Sequence, residues 1–128
     1  MHSINVIDLE GSRTVATADD LAGALARRIN GSNHFLLSGV GANYPLLDVL
    51  VRDDLAMVHY FASEGAAGSQ SVSTRDDLPE EVEFPENMTG EPVPMPASVV
   101  IDARTAIRCI EQFAETLSRP TLIDWVEL

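Results

Sequence analysis

The chain has no lysine, a single cysteine and no long apolar run. Each absence excludes something. A membrane-spanning helix needs about 18 or more consecutive apolar residues, so no span is expected. One cysteine, Cys109, cannot close an intrachain disulfide and fits a reducing compartment. The opening Met1-His2-Ser3-Ile4-Asn5 has no cationic segment followed by an apolar stretch. No signal peptide is therefore expected, and the expected location is the cytoplasm. Positive charge is scarce: eight arginines face 20 aspartates and glutamates, for a net charge of −12. Nucleic acid and anionic membranes bind through basic patches, so neither is an expected partner.

The chain is nevertheless built to fold. Hydrophobic residues make up 45% of its 128 positions, too many for an acidic disordered chain. This length suits one domain over residues 1–128, burying about two-thirds of the open-chain surface. The charge is unevenly spread. Residues 63–97 hold Glu64, Asp76, Asp77, Glu80, Glu81, Glu83, Glu86 and Glu91 against Arg75 alone, together with five prolines. This segment reads as acidic, Pro-rich and dominated by loop, with short strands around 70–74 and 81–84.

Apolar periodicity supplies the remaining elements. Ser3–Glu10 alternates as a first strand, turned at Gly11-Ser12. Thr17-Ala18-Asp19-Asp20 starts a helix whose face is Leu21, Leu25 and Ile29, closed by Asn30-Gly31. His34–Ser38 is a short strand, and Gly39–Pro45 a loop. Leu46–Arg52 and Leu55–Phe61 form a hairpin through Asp53-Asp54. Both faces of Leu55–Phe61 are apolar, which predicts a central strand covered by a helix on at least one side. Asp102 stands as N-cap before Ala103, Ala106, Ile107, Ile110, Phe113, Ala114 and Leu117, a helical stripe that Pro120 ends. Thr121–Glu127 is a final strand. The predicted class is α+β, an antiparallel or mixed β-sheet with two amphipathic helices packed on it.

No catalytic constellation emerges from the residues. Gly39-Val40-Gly41 follows a strand, but the third glycine of a dinucleotide loop is missing and Asn43-Tyr44-Pro45 cannot open a helix. His2, His34 and His59 are too scattered for zinc, so neither metal nor cofactor is expected. Cys109, mid-helix beside apolar neighbours, reads as core filler rather than nucleophile. Ser69, Ser71 and Ser73 have no Gly-x-Ser-x-Gly context. The pairs Asp53-Asp54 and Asp76-Asp77 fall at turns and read as solvated.

The C-terminal third carries a resemblance. A helix with Ala106, Ile110 and Phe113, then Arg119-Pro120, then a strand ending Trp125-Val126-Glu127-Leu128, resembles bacterial polymorphic-toxin immunity proteins often encoded beside deaminase toxins. Tyr44-Pro45-Leu46, Asp53-Asp54-Leu55-Ala56 and His59-Tyr60-Phe61 agree with that pattern, which covers about residues 18–128. Residues 63–75, rich in Gly, Ser and Ala, depart from the more aromatic stretch of the family. The resemblance implies a non-enzymatic protein that binds a cognate toxin domain and occludes its active site, with the toxin presenting a basic surface there. On that reading Asp76, Asp77, Glu80, Glu81, Glu83 and Glu86 are the expected toxin contacts, because an acidic surface can stand in for a polyanion. Tyr60, Phe113, Pro120, Trp125 and Glu127 are the matching motif residues, expected to be structural. Trp125 should pack under the preceding helix, and Glu127 is either a solvated chain-end charge or the partner of an arginine. The competing reading is a small stand-alone ligand-binding protein or enzyme acting on a metabolite in a pocket near His59 and Tyr60.

Overall fold

The computed structural model describes residues 1–85 and 87–128. Along the chain run β1 (Ile4–Asp8), β2 (Gly11–Val15), α1 (Ala18–Leu25), β3 (Ser32–Gly39), β4 (Leu46–Arg52) and β5 (Leu55–Phe61). They are followed by β6 (Ser69–Ser71), β7 (Glu81–Phe84), β8 (Val93–Pro96), β9 (Ile101–Asp102), α2 (Ala103–Thr116) and β10 (Trp125–Glu127). The main sheet has the order β10-β6-β5-β4-β3-β1-β2, with β9 added alongside β5, and β7–β8 forms a separate hairpin. Every described pairing is antiparallel, which decides between the antiparallel and mixed alternatives of the α+β class.

The period of two along each strand sorts the side chains into two unequal cores. On one face Ile4, Val6, Phe35, Leu37, Leu47, Val49, Ala56 and Val58 meet the buried stripes of α1 and α2, among them Leu21, Leu25, Ala106, Ile110 and Phe113. On the other face Leu50 and Met57 meet Val82 and Phe84 of β7, together with Val99 and Val100. Each fully buried side chain of this kind contributes about 1.5–3 kcal/mol. The prediction that β5 is central and covered by a helix on at least one side is met, with the β7–β8 hairpin covering the other face.

Where element boundaries differ from the sequence reading, local hydrogen bonding explains the difference. The first turn falls at Leu9-Glu10, so Gly11-Ser12 opens an additional strand, β2. The first helix is capped as expected, with Thr17 Oγ1 accepting from the Asp20 amide at 3.2 Å. It stops at Leu25, however, short of Ile29. Beyond it the Arg28 guanidinium donates to the carbonyls of Leu25 and Arg27, and left-handed Asn30 and Gly31 turn the chain into β3. At Gly31 the positive φ of 83° is what calls for glycine, since the nearest obstacle to a Cβ, Asp53 Oδ1, ends an exposed side chain that can swing aside. Asp102 occupies the N-cap of α2 but gives its carboxylate to Arg75 instead of to a helix amide. The last strand is confined to Trp125–Glu127.

Candidate partner-binding surface

The acidic segment is ordered by what it buries. In β7 the inward positions Val82 and Phe84 are buried while Glu81 and Glu83 are exposed. Across the pair Val82 faces Met95 and Phe84 faces Val93, whereas Glu81 and Glu83 face Pro96 and Pro94. One side of the hairpin is therefore apolar and the other alternates glutamate with proline. Prolines donate nothing to a ladder, so they also suit a strand with a free edge. The sequence reading expected β7 but not β8, because its Pro-x-Pro spacing argues against a central strand.

Two clamps fix this hairpin to the sheet. Asn87 is buried in its turn, where Nδ2 donates to the carbonyls of Phe84 and Glu91 and Oδ1 accepts from the Thr89 amide. The next amide, of Met88, donates to His34 Nδ1 at 2.9 Å, and His34 Nε2 donates to Asp48 Oδ1 at 2.6 Å. His34 thus has both ring nitrogens occupied and is a tether between β3, β4 and the hairpin turn. At the base the Ala97 amide donates to the Glu80 carbonyl, and Arg52 donates to that of Glu83.

Of the residues expected to touch a toxin, Glu81 and Glu83 are exposed on the outer side of the hairpin, while Asp76 and Glu80 are exposed in the loop that leads into β7. Glu86 lies outside the described residues. Asp77 is solvent-exposed as expected of that pair, and it also takes Arg75 in a bidentate contact, both N–O distances 2.9 Å, while the same guanidinium reaches Asp102 at 2.9 Å. The Arg75 hydrogen bond holds the Asp77 carboxyl below its ordinary range, and the two carboxylates in turn raise the guanidinium pKa.

Four of the other arginines, Arg27, Arg28, Arg52 and Arg119, are engaged as well. Arg27 pairs with Glu10, Arg119 with Glu127, and Arg52 is engaged as above. Among the described residues, exposed Arg104 and Arg108 of α2 have no carboxylate partner. Both signs lie on the helix side of the sheet, where exposed Asp19, Asp20, Glu111 and Glu115 accompany those arginines.

The hairpin covers only part of its face. Beyond its turn, the same face of β1, β3 and β4 is left open, and there Ile7 pairs across with Leu36 while Leu46 pairs with Ser38. Ile7 is 43% exposed. A cleft of about 340 Å³ is lined here by Ile7, Leu36, Ser38, Asn43, Tyr44, Leu46 and Glu64. A neighbouring cleft over β1 and β2 shares Ile7, Ser38 and Asn43 with it. Sequence reasoning missed this surface. Its one signal was Ile7, an apolar residue on the otherwise polar side of an imperfectly alternating strand.

The motif residues of the C-terminal third come together as a structural cluster. Phe113 is fully buried under the sheet. The Trp125 Nε1 donates to the Pro120 carbonyl at 2.7 Å, and its ring meets Tyr60 edge-on at 6.3 Å between centroids. The Arg119 guanidinium lies over the Trp125 ring, 5.8 Å from its centroid, and pairs with Glu127. Glu127 also accepts from Ser69 at 3.0 Å, tying β10 to β6. Of the two readings of Glu127, the arginine partner is the observed one.

His59 and Tyr60 line none of these clefts. The His59 Nε2 is bonded to the Ala67 carbonyl at 2.9 Å and its ring stacks on Phe61 at 4.0 Å. Gly68 closes over it, since a Cβ there would lie 2.7 Å from Nε2. Among the described residues no three His, Cys, Asp or Glu side chains gather as a metal site, and no helix is long and apolar enough to cross a membrane. Cys109 is buried, which pushes its thiol up to about 11, the opposite of an activated nucleophile.

Comparison with known proteins identifies a relative and a family. A double-stranded DNA deaminase immunity protein from Burkholderia cenocepacia (strain H111) is 27% identical over 128 residues, covering 94% of this chain and 97% of the relative. The family model for immunity protein Imm1 matches residues 10–127. With almost its whole length matched, this chain belongs to the Imm1 immunity protein family.

Proposed function

We propose that this protein is a non-enzymatic inhibitor that binds a cognate deaminase toxin in the cytoplasm and occludes its active site. The observation that carries this reading is the outer side of the hairpin. There Glu81 and Glu83 are exposed, as are Asp76 and Glu80 in the loop that leads into β7, all with no ion-pair partner among the described residues, on a chain of an immunity family. The similar protein of B. cenocepacia is named for a deaminase of double-stranded DNA. An enzyme that works on DNA must present basic groups to phosphates, and those groups attract an acidic protein surface as readily. Opposed charge also speeds encounter, which matters where few free toxin molecules suffice to damage a genome.

The test has a cellular and a kinetic arm. Co-expression with the toxin domain encoded immediately upstream should restore growth, and growth no better than with empty vector would refute the function. In binding kinetics, Glu80→Lys, Glu81→Lys and Glu83→Lys together should slow association and flatten its dependence on ionic strength. Association unchanged at low salt would remove the hairpin acids from the contact.

A further inference from the structure

We infer that the outer face of α2 is an interface for a second copy of this chain, the two α2 helices lying antiparallel across a twofold axis. Arg104, Arg108, Glu111 and Glu115 carry it. All four are exposed, and steps of four, three and four residues stack them in one stripe, about 16 Å from end to end. The buried positions Ala106, Cys109, Ile110 and Phe113 occupy the opposite side of the helix.

The order of signs along the stripe is unfavourable for a helix standing alone. Helix ends favour acids in the first turn and bases in the last, and α2 has neither. It has Arg104 near its positive end and Glu115 near its negative end. Arg104 and Arg108 are like charges four residues apart, as are Glu111 and Glu115, and such pairs destabilise a helix. Within the chain these charges are also little used. Arg104, Arg108 and Glu111 have no ion-pair partner among the described residues. Glu115 is 66% exposed and lies 3.8 Å from the Met1 amino group.

Laid against a copy of itself, the same order becomes favourable. Arg104 and Glu115 are equidistant from the point between Cys109 and Ile110, and so are Arg108 and Glu111. A twofold axis at that point sets Arg108 against Glu111 of the second copy, and Arg104 against its Glu115. Symmetry repeats both contacts, so four opposite pairs face each other and no like charges do. Packed helices lie about 8–10 Å apart, within reach of arginine and glutamate side chains whose stems add apolar contact. Exposed Asp19 and Asp20 follow Ala18, which lines a cleft with Glu111 and Glu115, and so reinforce the acidic half. Asp102, held by Arg75, and exposed Asp124 flank the basic half in a separate cleft with Thr105. The net charge of −12 opposes pairing at long range, so association should be weak and reversible. The β7–β8 hairpin lies across the sheet from α2, so a paired molecule keeps its hairpin acids free.

Sedimentation equilibrium of the full chain, in about 0.1 M salt to screen the long-range repulsion, tests the interface. The wild type should form a dimer reversibly as its concentration rises to about 1 mM. Arg108→Glu makes two of the four facing pairs repulsive and should weaken association by about tenfold or more, as should Glu111→Arg. Both replace exposed side chains, so their melting transitions should stay near that of the wild type. Combining Arg108→Glu with Glu111→Arg in one chain restores every pair, and dimerisation should return to within about threefold of wild type. An equimolar mixture of the two single variants should form a heterodimer, because every facing pair is then opposite in sign. A wild type that stays monomeric to about 1 mM would overturn the interface. So would a dimer that neither single variant weakens, or single variants that fail to pair when mixed.

Discussion

Replacing Phe84 with alanine should detach the hairpin while leaving the rest of the fold standing. Phe84 is fully buried in the smaller core, against a sheet face that offers Leu50 and Met57. Deleting a buried phenylalanine costs about 3–5 kcal/mol. Few other contacts hold the hairpin: Val82, the half-buried Val93, Met95 and Leu78, the amide of Met88 on His34, and Arg52 on the Glu83 carbonyl. At 1.36 kcal/mol per factor of ten, a loss of about 3 kcal/mol raises the hairpin-open population by about two orders of magnitude. Hydrogen exchange read by mass spectrometry should therefore show peptides of β7 and β8 exchanging about a hundredfold faster, with β3, β4 and α2 still slow. The cost seen in urea unfolding cannot exceed the docking free energy of the hairpin, because the variant can fall back on a hairpin-open form. Phe113→Ala removes the same atoms from the larger core and has no such refuge, so its full cost should appear in the melt. Exchange over β7–β8 within about threefold of wild type would refute this account of a separately docked layer. So would a variant in which hairpin and sheet exchange together.

Three further outcomes follow from the geometry. Cys109 should resist iodoacetamide at pH 8 in the native protein and react readily in denaturing urea, because burial raises its thiol to about 11; native labelling at the rate of free cysteine would contradict its placement. The Asp77 carboxyl is depressed in the folded state, so its ion pair stabilises the fold above the ordinary aspartate range and is lost as pH falls through the depressed value. A carboxyl NMR titration should place its midpoint below the other exposed aspartates, and Arg75→Ala should return it among them. Trp125→Ala should lower stability by about 2–3 kcal/mol in chemical denaturation, somewhat less than a fully buried aromatic would cost. Arg119→Ala, at an exposed pair, should cost less than about 1 kcal/mol in the same assay.

The parts of the fold that burial dictates were legible in the sequence. The β4–β5 hairpin falls where apolar alternation and Asp53-Asp54 put it, and the stripe of α2 is the one that packs. What escaped notice was held by pairing rather than by side-chain burial. In β2 only Val15 is buried, so Gly11-Ser12-Arg13-Thr14 has the composition of a loop while bonding as an edge strand. In β8 the prolines conceal a strand whose half-buried Val93 and Met95 face the sheet. The acids of the hairpin were visible as charge, and the alternation of β7 even indicated which of them face outward. The open cleft over β1, β3 and β4 was not, because Ile7, Leu36 and Leu46 are neighbours only once β1 has been placed next to β3 and β3 next to β4. No spacing along the chain encodes that strand order.

The strict alternation of the β7–β8 hairpin has a consequence for how such a protein could change partners. Val82, Phe84, Val93 and Met95 hold the layer in place, whereas positions 81, 83, 94 and 96 project away from everything that holds it. On the proposed function, stability and recognition would thus be written on alternate residues of the same eight-residue unit. The outward positions can be rewritten one at a time, including by reversal of charge, without opening a cavity or moving a core side chain. A lineage pursuing a drifting toxin could explore new specificities there at little risk to folding, and the inward residues would record none of that history.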